Sequence, residues 1–565
     1  MTADVDWGWR DRSHFVMLQA GFATAGHFLA TWRAWRADPQ RSERLHVIAI
    51  EAQPVDGAVP ASALGGDELS AQLIEAWPPT TPDLHRLSFD DGRVVLLLAF
   101  GSVARWLPEF VASVDRFEVH AGALTDASPR VFKALARLAA PNAVAVVHQD
   151  GVAVTSEAGL RQALRTAGFV VDEASSGSVA DADADADSAA AALDGSPANA
   201  LPSVRVAPQA AASVGTLTAS LVARYAPTFI PRTSPTRLAS EGAHTRRHAL
   251  IVGAGLAGCA TAWALAEQGW SSTVFDRHAA PAQETSGQFA GLFHGIVNPQ
   301  DGAHARFNRV AALEARRVVA WAVGERGVAG CADGLIRLET GDTDVQAMRH
   351  LLSRLMLPND YVQAVSADTA SRLSGLRLNT PAWFYPGGGW VAPSELARAL
   401  LDEATALQRS RLRGDIEVAS LRRHADEWQL IGTDGAVLDQ APVVVWADGG
   451  SAFPQAGPPP WTLDRVRGQT TLLAADTPGL VAPRLPVAGM GYVLPAIEGQ
   501  VMCGATVQTG QMGDTDGSLR HADQRQNLLQ LQRLTGSNFD GETVPLAGRV
   551  GWRAVAGDRL PVIGG

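Results

Sequence analysis

The sequence predicts an α/β chain with two Rossmann-like, doubly wound domains joined by a linker, and three observations carry that prediction. Residues 1–172 alternate apolar strands with helical stretches. Residues 173–245 shift to Ala, Ser, Pro and Asp with few aromatics, a composition that cannot bury enough apolar surface to order itself. Residues 249–276 hold a strand, a glycine-rich turn, a helix and a second strand ending in an acid. A chain of 565 residues is also too long for one ordinary core.

In the first half, strands are expected at 15–19, 45–50, 93–99 and 143–148, and helices at 27–35, 69–76, 130–139 and 157–167. This sets domains at 1–172 and 246–565, with a flexible linker over 173–245. Hydrophobic content of 46%, charged content of 19% and a mean hydropathy of +0.02 describe a globular chain. No apolar run is long enough to span a bilayer, and the first thirty residues lack a signal-type pattern, so no membrane partner and a cytoplasmic location are expected. Cys259, Cys331 and Cys503 are odd in number and far apart, which argues against disulfides and a zinc site, and they read as small core residues. No metal is expected.

The net charge of −11 opposes a nucleic-acid partner, but the average hides a split. Seven acids and no bases lie between 172 and 204, whereas 205–247 carries Arg205, Arg224, Arg232, Arg237, Arg246 and Arg247 against one acid, Glu241. Lys133 is the only lysine. Arginine grips phosphate in two parallel bonds and stacks on bases, so this stretch reads either as an RNA contact or as a solvated linker.

The motif most informative about function begins at Ala249. Gly253 and Gly255 let the backbone turn tightly and approach a pyrophosphate, and Gly258 lets the next helix pack close, its positive end aimed at the phosphates. Asp276, eighteen residues past Gly258, suits the two ribose hydroxyls of an adenosine and repels a 2′-phosphate. These residues predict a dinucleotide site that disfavours NADP.

Further motifs follow. Thr285-Ser286-Gly287-Gln288-Phe289-Ala290-Gly291, Gly388-Gly389-Trp390-Val391-Ala392-Pro393-Ser394-Glu395-Leu396, Val443 to Gly449, and Gly551-Trp552-Arg553 with Asp558-Arg559-Leu560-Pro561-Val562-Ile563-Gly564 together resemble the flavin-dependent amine oxidases of the D-amino-acid oxidase and glycine oxidase type. The resemblance implies an FAD-binding Rossmann domain with an interleaved α+β substrate domain. It also implies a second FAD segment at Ser286, Gly287 and Gly291, and a substrate-carboxylate role for Arg553. A fixed guanidinium suits that task, and spacing alone leaves a surface ion pair as the alternative reading of Arg553. His294 reads as a satisfied polar side chain. The resemblance further leads to the expectation that 246–565 lacks a last glycine-rich strand and helix.

The first half is similar to an S-adenosylmethionine methyltransferase: Ala20 to Trp32 resembles the cofactor loop, and Leu45 to Glu51 a strand ending in the ribose-binding acid. Trp77-Pro78, His85-Arg86-Leu87, Asp91-Gly92-Arg93-Val94, Arg465-Val466-Arg467-Gly468-Gln469 and Gly491-Tyr492-Val493 agree as well. Together the halves resemble the MnmC family of bifunctional tRNA wobble-uridine modification enzymes. That implies FAD-dependent removal of the carboxymethyl group from 5-carboxymethylaminomethyluridine, 2-thiolated or not, giving 5-aminomethyluridine. If the first half is active, S-adenosylmethionine-dependent methylation then gives 5-methylaminomethyluridine. The departures predict a degenerate first half: Ala23 and Ala25 replace loop glycines, Gln19 and Ser102 replace acids, Val119 to Leu124 replaces an Asp-Gly-Phe-Ala-Pro motif, and a segment expected before residue 1 is missing. Two alternatives stand beside this reading, an amine or amino-acid oxidase with no tRNA role and an eroded tRNA-binding scaffold.

Overall fold

A computed structural model describes residues 7–21, 24–52, 64–124, 129–148, 157–172, 219–227, 246–339, 341, 344–407, 409–450, 463–510 and 516–564. By contact the chain forms two compact units, Met1–Trp77 with Val94–Arg232 and Pro78–Arg93 with Thr233–Gly565.

The first unit is built on β1 (His14–Ala20), α1 (Thr24–Ala37), β2 (Arg44–Glu51), α2 (Glu68–Ala76), β3 (Val94–Phe100), β4 (Val114–His120), α3 (Pro129–Leu138), β5 (Ala139–His148), α4 (Glu157–Thr166), β6 (Phe169–Val171) and β7 (Ala219–Tyr225). Its strands run β3-β2-β1-β4-β5-β7-β6. β1 to β5 are parallel, and β7 is antiparallel to both of its neighbours. β3 is buried along nearly its whole length, as expected of a parallel strand covered on both faces. α2 begins where the Asp67 carboxylate accepts the Ser70 amide, satisfying one of the first-turn donors. The strand order reverses between β1 and β4, which is where a doubly wound sheet opens its ligand crevice.

This arrangement moves two expected boundaries. The stretch 173–245 contributes β7, so the first unit does not end at 172; residues 173–218 and 228–245 lie outside the described residues. Residues 78–93 go with the second unit. There the fully buried Arg309 pairs with Asp83 at 3.1 Å and with Asp301, and Arg86 lies 3.6 Å from Glu267. Of the arginines from 205 to 247, Arg205, Arg232 and Arg237 lie outside the described residues, Arg224 is in β7, and Arg246 reaches Glu427 at 3.4 Å.

The second unit opens with β8 (His248–Val252), α5 (Leu256–Glu267) and β9 (Ser271–Phe275), and continues through α6 (Ala303–Arg326), α7 (Pro393–Ala406), β10 (Val443–Trp446), β11 (Leu463–Ala474), α8 (His521–Thr535) and β12 (Ala547–Ala556). A four-stranded parallel sheet places β8 between β9 and β10, with Ser410–Arg413 beyond β9. α5, α6 and α7 cover it through Cys259, Ala262, Val319, Ala397 and Leu400. A larger mixed sheet runs from Gln363–Val365 to Gln508–Gly510 and includes β11, on which β12 also pairs. Cys259 and Cys503 are buried as expected, whereas Cys331 is half-buried. No described helix is long and apolar enough to cross a membrane.

Burial lowers His27 in the first unit and His85 in the second from 6.5 to about 4. Unfolded chain takes up these protons below 6.5 and folded chain only near 4, so stability is lost as pH falls through that window, by roughly 3 kcal/mol per histidine once it is crossed. Thermal melts should show midpoints falling between pH 6.5 and 4.5, with a shallower fall for His27→Gln. A His27→Gln profile parallel to the parent's contradicts this.

Candidate cofactor and substrate site

The sharpest local constraint follows β8. Gly253 turns the chain at φ +102°, and a Cβ there would lie 2.5 Å from the Ala447 carbonyl oxygen and 2.8 Å from Asp448 Cα, just past β10. At Gly258 a Cβ would lie 1.8 Å from the Gly253 carbonyl oxygen, so the first turn of α5 is pressed onto the glycine turn. Gly255 caps α5 without a side-chain hydrogen bond, so its own cap does not cover the positive helix end. Asp276 accepts the Ala254 amide at 2.7 Å and the His278 amide at 2.9 Å. Those bonds fix the carboxylate at the rim, and an ionised carboxylate offers about four acceptor positions, enough to take two ribose hydroxyls as well. The residues present fit an adenine dinucleotide.

The second glycine segment lies beside this turn. Ser286 Oγ accepts the Leu256 amide at 3.1 Å. Ser286 and Gly287 sit on a short turn, Thr285–Gly287. Gly291 begins a strand that pairs antiparallel with Gly389–Val391, and a Cβ on it would meet nothing within 4 Å, so the space beside it is open.

Arg553 lies in β12 opposite Val466. Its guanidinium is 3.8 Å from where a Cβ on Gly468 would stand, so the missing side chain leaves it room. Arg553 is exposed and has no hydrogen-bond or ion-pair partner among the described residues. Burial pushes the Tyr492 phenol well above its usual range, and the positive charge of Arg553 partly opposes that shift. Tyr492 therefore stays protonated and adds a neutral donor near the free cation.

β12 is fastened to the second glycine segment. Thr285 Oγ1 donates to the Trp552 carbonyl at 2.6 Å, Thr470 Oγ1 donates to Gln288 Oε1 at 2.9 Å, and Arg549 donates to the Gln283 carbonyl. The opposite face of β11 carries Arg467, which pairs with Asp523 of α8, while Gln469 accepts the Arg520 amide at 2.9 Å. The Arg467-Gly468-Gln469 motif thus divides its work between the two faces of one strand.

Of the predicted site residues, Gly253, Gly255, Gly258, Asp276, Ser286, Gly287, Gly291 and Arg553 all belong to the second unit, and Glu51 ends β2 in the first. His294 is largely buried, with Nδ1 2.5 Å from the Gly295 carbonyl, as a satisfied polar side chain should be. Thr285, Gln288, Arg549 and Tyr492 received no role from sequence. Their partners lie up to 267 residues away, a distance no local pattern reports.

The expected S-adenosylmethionine loop of the first unit follows β1. Gly21 has φ +78°, but a Cβ on it would lie 2.6 Å from Ala123 Cβ, because the Ala121–Leu124 turn closes over it. Gln19 is buried and donates to Thr31 Oγ1 at 2.9 Å, facing α1 rather than a crevice. Ala23 lies outside the described residues. Among the described residues the ribose acid Glu51 ends β2 and Gly21 opens the loop, while Ala25 stands at one of the expected glycine positions. No group of three or more His, Cys, Asp or Glu side chains that could hold a metal ion occurs among the described residues.

The cradle makes a direct prediction. Gly258→Val should leave protein that purifies without yellow colour, and Asp276→Asn should weaken FAD about tenfold through loss of a charge-assisted acceptor. Fluorescence titration with FAD checks both; parent-like affinity in Gly258→Val contradicts the placement of the dinucleotide.

The family described as FAD dependent oxidoreductase matches residues 248–565. A tRNA 5-methylaminomethyl-2-thiouridine biosynthesis bifunctional protein MnmC from Methylibium petroleiphilum is 40% identical, over 98% of this chain and 79% of its own length. The protein of the same name from Paraburkholderia phymatum is 33% identical, over 99% of this chain and 80% of its own. Among solved structures, glycine oxidase from Geobacillus kaustophilus is similar at a TM-score of 0.45 and 22% identity, over 56% of this chain and 86% of that one. By its relatives at a third or more identity across nearly its whole length, the chain belongs to the MnmC family of bifunctional proteins, with an FAD dependent oxidoreductase domain in its second half.

Proposed function

We propose that this chain removes the carboxymethyl group from 5-carboxymethylaminomethyluridine, 2-thiolated or not, at the wobble position of tRNA, leaving 5-aminomethyluridine and releasing the two-carbon fragment as glyoxylate. One observation carries the reading: an unpaired guanidinium, Arg553, stands on a strand bonded directly to the second glycine segment of a dinucleotide cradle. A carboxylate is the natural complement of a solvated, uncompensated arginine, and a group that ends in CH₂–COO⁻ beside nitrogen presents one.

In this reading Gly253, Gly255, Gly258 and the start of α5 hold the pyrophosphate of FAD, Asp276 its ribose, and Ser286, Gly287 and Gly291 the segment nearest its ring. FAD, when bound, would supply an acceptor for the hydride lost from the carbon next to nitrogen, and water adding to the resulting C=N bond would break it to give the amine and glyoxylate. The work of the chain is placement. Arg553 fixes the carboxylate in two parallel bonds and Tyr492 offers a third donor, so the adjacent C–H bond has one orientation instead of many. The bases of an anticodon loop are reached without opening a duplex, which suits a site that takes in one nucleoside. The reading places the enzyme with its tRNA in the cytoplasm. The family resemblance implies a methylation step for the first unit, and this reading carries no step through it.

Purified protein should release glyoxylate from tRNA carrying the carboxymethylaminomethyl group, and cells without the gene should accumulate that nucleoside. Equal efficiency on free N-methylglycine without tRNA supports an amine oxidase instead and overturns the tRNA assignment. Arg553→Met should lower kcat/KM about a hundredfold by removing two charge-assisted bonds, with FAD retained, and Arg553→Lys should recover part of it.

A further inference from the structure

We infer that Thr285 is a positioning residue for Arg553, setting where the guanidinium stands relative to the cofactor turn. The inference rests on the reading of Arg553 as the carboxylate clamp and deepens it.

The geometry is a direct bridge. Thr285 Oγ1 donates to the backbone carbonyl of Trp552, the residue immediately before Arg553, at 2.6 Å. One residue earlier the turn lies flush on the strand: a Cβ on Gly551 would be 3.1 Å from Gln288 Nε2 and 3.2 Å from Thr285 Cγ2. The threonine hydroxyl is held by a side chain with few rotamers, so the bond defines a direction as well as a distance. Across the sheet, Trp552 faces Arg467 and Arg553 faces Val466. The backbone at Trp552 is therefore fixed by β11 laterally and by Thr285 from the cofactor side. Any shift of that carbonyl carries Arg553 with it. Displacement of a positioning group by about 1 Å can cost up to a hundredfold in reactivity. The hydroxyl is 267 residues from its acceptor, so it couples the two ends of the second unit's sequence at one atom pair.

Thr285→Val keeps the shape and removes the donor, while Thr285→Ser keeps the donor. With FAD saturating, Thr285→Val should raise KM for the modified tRNA about tenfold, the usual scale for one lost hydrogen bond that leaves its acceptor unpaired, with kcat within about threefold of the parent. Thr285→Ser should return KM to near the parental value. Binding of acetate, read from the shift it produces in the visible spectrum of the bound flavin, should weaken by a similar factor in Thr285→Val. In an Arg553→Met background the Thr285→Val change should have no further effect on either quantity, because the group it positions is gone.

The outcomes separate cleanly. If Arg553→Met leaves KM and acetate binding unchanged, the clamp reading itself fails. If Arg553→Met weakens both but Thr285→Val does not, or weakens them equally with and without Arg553, the positioning role is overturned. Weaker FAD binding in Thr285→Val, with parental KM once FAD is saturating, would assign Thr285 to the cofactor turn alone and also overturns it. Thr285→Ala is the second variant should the valine form fold poorly.

Discussion

The antiparallel pairing of β11 with β12, from Leu463 opposite Ala556 to Leu472 opposite Ala547, is the constraint on which the candidate site depends. Side chains alternate along each strand, so this register puts Val466, Gly468 and Thr470 on the face shared with Arg549, Gly551 and Arg553, and sends Arg467, Gln469 and Thr471 to the other. A slip of one residue on β11 would bring Arg467 to the face now opened by Gly468 and leave an uncharged residue against α8. The buried bonds of Arg467 to Asp523 and of Asn527 to the Gln469 carbonyl, at 2.9 Å for the latter, exist only in the present register. A buried ion pair contributes little net stability but strongly penalises arrangements that break it. Here its value is registry, and the registry is what aims Arg553.

The glycine cradle and the clamp differ in how far they can be read from sequence, and the difference is one of contact range. Gly253, Gly258 and Asp276 form a nearly contiguous unit, and each position is dictated by a neighbour within that unit or by the strand beside it. Arg553 was legible through resemblance to a signature, but its environment was not, because Thr285, Gly468 and Tyr492 come from three remote segments. The same logic explains the errors in the fold. β7 is a seven-residue strand inside a long polar stretch, so window composition hides it. β4 is hidden in the sequence because Asp115, Arg116 and Glu118 interrupt its apolar pattern.

Those interruptions have a physical resolution within the first unit. Glu118 accepts from Arg116 at 2.5 Å and also meets His148 of β5, with the His27 ring 6.4 Å from that of His148. Burial alone would push Glu118 upward, but His148 and Arg116 hold it below the usual carboxylate range. The polar groups near the crossing of β1, β4 and β5 are thus turned toward one another, as Gln19 is toward Thr31. A crevice prepared for a charged ligand keeps donors and acceptors free for it. At this switch point Arg116, Glu118 and His148 spend theirs on one another, while Gln19 Oε1 is buried without a hydrogen-bond partner.

Three arginines of the second unit show why the basic charge of this chain, almost all of it arginine, has such different consequences. Arg309 is fully buried between Asp83 and Asp301, and Arg467 is buried against Asp523 with further acceptors in Gln469 and the Ser518 carbonyl. A guanidinium taken out of water in this way must meet its donors' needs inside the protein or leave an expensive uncompensated charge. Arg553 is held in place by its backbone, yet its head group has no protein acceptor among the described residues and remains open to solvent. Its desolvation therefore falls at the moment a ligand arrives, and an anion able to replace the lost water with two parallel bonds gains what a neutral ligand cannot. In the proposed reading, selectivity for a carboxylate follows from that asymmetry: the protein has fixed the position of the cation and left its partner to be brought by the substrate.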